Sequence, residues 1–129
     1  MPDRVIDASA LAAVLFEEDE SELVVQRLGG ARLIAPDLID YELANVCRLK
    51  CRRHPEQRAR LVASFRLRSR LKVHPSGVDH VAIAVLALET GLTANDASYL
   101  WLATQTGVEL VTLDRALSGQ AASRGLTEV

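Results

Sequence analysis

Apolar positions along this chain switch between two periods. Val5 and Ile6 form a short apolar pair that runs straight into SALAAVLFEE from Ser9, where apolar residues recur at helical spacing. A buried strand is therefore predicted to feed directly into a helix. Asp19, Glu20 and Glu22 mark the acidic first turn of a second helix, which Gly29-Gly30 ends. Arg32 to Ala35 reads as a strand closed by Pro36, which suits the first turn of a helix carrying Leu38, Tyr41, Glu42, Asn45 and Val46. From Pro55 to Arg70 the spacing predicts one helix, with Leu61, Val62 and Phe65 inward and arginines outward. A brief strand over Lys72 to His74 follows, stopped by Pro75. Helices are predicted over Asp79 to Glu89 and Ala94 to Thr106, ended by Gly91 and Gly107. A strand from Glu109 to Leu113, a helix from Asp114 to Ser123 and a last short strand from Leu126 to Val129 complete the pattern. Strands alternating with helices predict an α/β fold: a mostly parallel central sheet of four or five short strands with helices on both faces. In such sheets ligands bind at the carboxyl ends of the strands, the edge where Asp7 and Asp114 fall.

Composition narrows this picture. The 129 residues suit one domain, and with 49% apolar but only 4% aromatic residues the core is built from Leu, Val, Ile and Ala. The longest apolar run, Val81 to Leu88, is eight residues, against the ~20 a membrane span needs. The opening MPDRVIDASA carries charges where an export signal would be apolar, so a cytoplasmic location without membrane attachment is expected. Cys47, Cys51 and His54 form C-x3-C-x2-H, which would need a further ligand to hold zinc. Small semi-buried thiols on one helical face are the expected reading, and no disulfide is expected in a reducing compartment.

The net charge of -2 hides a strong polarity. Between Arg48 and Lys72 stand ten bases and one acid, Glu56, whereas the rest of the chain holds five bases and sixteen acids. A basic helical region opposed to an acidic remainder can attract a polyanion, and Arg48, Arg52, Arg53, Arg66 and Arg68 are its candidate nucleic-acid contacts. A solvated helix surface is the plain alternative.

Four acids, Asp7, Glu42, Asp96 and Asp114, fall where a strand ends or a helix begins. Singly, each has a structural explanation: Asp7 and Asp114 as N-caps, Asp96 in a capping box with Thr93, and Glu42 as an exposed helical residue. Together they would repel one another unless a cation joined them.

VIDASALAAVLFEED, PDLIDYELANVCRL and GLTANDASYLWLATQTGVELVTLDRAL resemble, in order and spacing, the motifs of PIN domains, from residue 4 to about residue 125. The compact length is similar to that of VapC-type toxins of bacterial toxin-antitoxin pairs. Two positions depart from the pattern: Asn95, where many relatives carry a large residue, and Ser118, where some supply a further acid. The resemblance implies a single PIN-like domain over residues 1–129 that hydrolyses RNA phosphodiesters (tRNA, rRNA or mRNA) with Mg2+ or Mn2+. It implies Asp7, Asp96 and Asp114 as metal ligands, with Glu42 orienting the attacking water. Ser9, Asn45 and Thr112 would support them. A homodimer and a small antitoxin that wraps an apolar groove are also implied. Three other readings stand beside it: a catalytically silent RNA- or protein-binding module of the same fold, an RNA-processing nuclease outside a toxin system, and a haloacid-dehalogenase-type phosphatase. Ser9 stands where that last class needs a second acid.

Overall fold

The computed structural model describes residues 2–127. Strand β1 (Asp3–Ile6) pairs in parallel with β2 (Arg32–Pro36) on one side and with β4 (Glu109–Val111) on the other, and β3 (Val73–Ser76) pairs in parallel with β2. The order is β3-β2-β1-β4. The register sets Val5 between Ile34 and Leu110, and Ile6 beside Val111. All five side chains are buried. Branched apolar residues at successive positions suit a sheet covered on both faces, as a parallel sheet must be.

Among the described residues seven α-helices cover it: α1 (Ala8–Leu15), α2 (Ser21–Leu28), α3 (Ile39–Arg53), α4 (Arg58–Arg66), α5 (His80–Thr90), α6 (Ala94–Thr106) and α7 (Arg115–Ala122). The chain steps from β1 to β2 to β3 in one direction, then returns past β1 to β4. Because parallel crossovers are right-handed, α1 to α4 belong to one face and α5 and α6 to the other. Packing agrees, with α1 against α3, and α6 across β1, β2 and β4. The reversal makes a topological switch point between β1 and β4, and a crevice opens at their carboxyl ends.

Four differences from the sequence pattern have local causes. The helix over 55–70 is interrupted: a 3-10 turn at Pro55–Gln57 precedes α4 and another follows at Leu67–Arg70. There Arg68 pairs with Asp40 at 2.8 Å and donates to the Leu71 carbonyl at 3.0 Å, which folds the segment back towards α3. Strand β3 continues through Pro75 to Ser76, which an edge strand tolerates. Pro36 remains in β2, opposite Ser76, so α3 begins only at Ile39. Finally, β4 stops at Val111 because side chains take over from the ladder: the Leu113 N–H donates to Ser9 Oγ and the Asp114 N–H to Thr112 Oγ1, both at 3.0 Å. Leu126 accepts from the Leu110 N–H at 2.7 Å, yet Leu126 and Thr127 form no strand. The remainder of the predicted last strand, 128 and 129, lies outside the described residues. Among the described residues no helix is long and apolar enough to cross a membrane.

Candidate active site

Four helices begin at the crevice, and each brings one acid in or beside its first turn. Asp7 is the N-cap of α1, where its Oδ1 accepts from the Ala10 N–H at 3.0 Å. Asp114 caps α7 in the same way, accepting from the Leu117 N–H at 2.8 Å. Asp96 lies in the first turn of α6, its N–H donating to Thr93 Oγ1 at 3.2 Å, and Glu42 lies in the first turn of α3. A helix N-terminus carries unpaired N–H groups and a partial positive charge, so each acid sits where the backbone best tolerates an anion. All four line one cavity of about 510 Å3, together with Ser9, Asn45, Asn95, Tyr41 and Tyr99. The capping and clustering explanations therefore hold at once for Asp7 and Asp114.

Asp7 lies deepest, 3% exposed. Ser9 Oγ donates to its Oδ1 at 2.8 Å and Thr112 Oγ1 to its Oδ2 at 2.5 Å. Burial pushes the Asp7 carboxyl above the usual carboxylate range, the bonds from Thr112, Ala10 and Ser9 pull it down, and the Asp96 charge pushes it up again. Glu42 is raised by burial, lowered by Tyr99 and raised by Asp96 and Asp7. Asp96 is raised by burial and by Asp114, with Thr93 opposing. These carboxyls feel one another's charge, and each takes up a proton more readily than in water.

A hard divalent cation would relieve this repulsion, and the all-oxygen donor set fits one. Among the described residues no three acidic, histidine or cysteine side chains are gathered into a closed cation cage. The fit is to an ion such as magnesium that keeps much of its water and takes one or two carboxylates directly.

Of the supporting residues, Ser9 and Asn45 line the cavity, whereas Thr112 lies beneath it, linking Asp7 to the Asp114 backbone. Arg48 is exposed and fastened to Asn45 Oδ1 at 2.9 and 3.1 Å. Arg52, Arg53 and Arg66 are exposed away from the cavity, and Arg68 is half-buried against Asp40. Two contributors carried no sequence signal of their own. Tyr99, 1% exposed, donates its hydroxyl to Glu42 Oε1 at 2.5 Å. Burial and Glu42 push that phenol far above its ordinary range, so it serves as a donor. The need of a buried tyrosine hydroxyl for a partner was the available clue. Arg27 on α2 donates to the Leu110 and Thr112 carbonyls, both at 3.4 Å, and pairs with Glu109 at 3.3 Å. It thereby holds the free edge of β4, which carries Thr112.

A family model described as the PIN domain matches residues 4–122. This chain belongs to the PIN domain family. The PIN fold accounts for the parallel sheet and for the meeting of four remote acids at its switch point. Among curated proteins, this PIN domain is similar to Ribonuclease VapC3 of Pyrobaculum aerophilum, 36% identical over 119 residues that cover 88% of this chain and 91% of the relative. Among solved structures it resembles PAE2754 from the same organism, with a TM-score of 0.73, 28% identity, and 92% of this chain and 84% of that chain covered. VapC20 of Mycobacterium tuberculosis, a sarcin-ricin loop cleaving toxin, shares the fold at a TM-score of 0.64 and 17% identity, with 98% of each chain covered.

Proposed function

We propose that this PIN domain is a VapC-type endoribonuclease that hydrolyses RNA phosphodiesters with a divalent ion, Mg2+ or Mn2+. The observation that carries the reading is the one cavity lined by Asp7, Glu42, Asp96 and Asp114, where Asp7, Glu42 and Asp96 are each raised by burial and by the charge of a neighbouring carboxylate. Similarity to a ribonuclease, 36% identical over most of both chains, supports the substrate class.

Asp7, Asp96 and Asp114 would hold the ion, one or two of them directly and the rest through its waters. When bound, it lowers the pKa of coordinated water and offsets charge on the phosphate and leaving group. Glu42, held at Oε1 by Tyr99, would orient the attacking water with its second oxygen. Ser9 and Thr112 lock the Asp7 carboxylate in one orientation. Asn45 presents its amide to the cavity and anchors Arg48, and the exposed Arg48, Arg52, Arg53 and Arg66 draw the RNA backbone. The resemblance adds a cytoplasmic setting, an antitoxin that closes the site, and a homodimer. In support of the dimer, α5 exposes Val81, Val85 and Leu88 on one stripe.

Purified Asp7→Asn and Asp96→Asn proteins should keep the circular dichroism of the parent and lose magnesium-dependent RNA cleavage. Unchanged cleavage by both removes the assignment.

A further inference from the structure

The chain has five aromatic residues, and four of them are packed: Phe16 and Tyr99 are buried, Phe65 and Trp101 half-buried. Tyr41 is 83% exposed. It stands on the wall of the cavity that holds the acids, immediately before Glu42. An aromatic ring left in water on the wall of an acid-lined cavity has no role in the core. It offers a flat apolar face to whatever enters.

Its surroundings narrow what that is. Tyr41, Asn45, Arg48 and Arg52 follow one another at helical spacings of four, three and four on α3, and all are exposed. They form one stripe, running about 16 Å from the cavity along the helix. Asn45 Oδ1 is occupied by the Arg48 guanidinium, which leaves the amide NH2 as the donor available at the cavity. An aromatic face, an amide donor and two guanidiniums in line match a nucleobase, its acceptor edge and the phosphates beyond it.

We infer that Tyr41 is a stacking platform for an unpaired base of the RNA, adjoining the phosphate to be cut, and that the Asn45, Arg48, Arg52 stripe carries the strand away from the cavity. This rests on the ribonuclease reading for the choice of RNA. A base inside a duplex is already stacked and cannot offer its face.

Binding decides this separately from cleavage. On an Asp7→Asn background, where turnover is stopped, affinity is measured by anisotropy for short homopolymeric single-stranded RNAs and for the matching duplex, with 2-aminopurine placed at successive positions. Tyr41→Ala should weaken single-strand binding roughly tenfold, abolish the quenching of one 2-aminopurine position, and leave the duplex unaffected. Tyr41→Phe should retain parental binding. Arg48→Gln should lower the salt dependence of log affinity by about one, and Tyr41→Ala should leave it unchanged. The inference is overturned if Tyr41→Ala stays within about twofold of its parent with quenching intact, if Tyr41→Phe loses as much as Tyr41→Ala, or if light scattering shows that Tyr41→Ala only separates two copies of the chain. Failure to cleave any RNA while the binding pattern holds would refute the nuclease reading and leave the subsite standing.

Discussion

Asp7 shows how a single residue can be both well supported and strained. Three donors hold its carboxylate, yet burial dominates and raises its proton affinity, as it does for Glu42 and Asp96. A carboxyl whose folded pKa lies above its unfolded value, 3.8 for Asp7, favours the folded state at low pH. That contribution is lost as pH rises through the raised folded value. In metal-free solution at neutral pH, Asp7→Asn should therefore melt higher than the parent. Relief of about 1 kcal/mol would move the midpoint by roughly 4 °C. The gap should narrow as pH falls through the raised range, and added magnesium should stabilise the parent while barely affecting the variant. Thermal melts in chelator and in magnesium check this; a parent already as stable as the variant in chelator would mean that Asp7 bears no unrelieved charge. Tyr99→Phe is the matching test for Glu42. Removing a bond to a charged group, ~1.5–3 kcal/mol, should lower kcat at least tenfold with little change in KM. The acids were legible in the sequence because each stands at a helix start. The Tyr99 partnership was not, since its acceptor lies 57 residues away and only the folded sheet brings them together.

Among the elements, the helix starts were the most legible and the strand ends the least. Asp7, Asp79, Thr93 and Asp114 all act as N-caps, as short polar residues before apolar helices should. The end of β4 was hidden because its ladder is replaced by the hydroxyls of Thr112 and of Ser9, the latter 104 residues from the Leu113 it bonds. The segment over 55–70 read as one helix because its apolar spacing is continuous, whereas the Arg68 to Asp40 pair that bends it is tertiary. Two equivalent caps allow capping to be separated from chemistry. Asp79 holds the Ala82 N–H at 3.1 Å on α5, away from the cavity, and Asp114 holds the Leu117 N–H on α7, within it. Replacing either with Ala should cost about 1 kcal/mol in urea unfolding. Only Asp114→Ala should abolish cleavage. Equal loss of activity in both would assign Asp114 a purely structural part.

For the whole molecule, the distribution of apolar surface matters as much as that of charge. The run from Val81 to Leu88 was legible only as too short for a membrane. Folding turns it into α5, which packs on α6 through Ile83 and leaves Val81 76% and Leu88 86% exposed, with Val85 between them on the same stripe. No charge interrupts these eight residues. A contiguous apolar stripe of this kind is unfavourable in a monomer, and a second copy can cover it by presenting the same stripe across a two-fold axis. Each side chain would then contribute on both sides of the interface, so one substitution acts twice. Leu88→Glu buries two carboxylates in that apolar interface. Sedimentation velocity should show the parent as a dimer and Leu88→Glu shifted to monomer, with its helical circular dichroism kept because Leu88 makes little contact within its own chain. Since α5 lies outside the acid-lined cavity, the monomeric variant should still bind magnesium. A parent that remains monomeric at every concentration would leave α5 without a second copy to cover it and would overturn the homodimer.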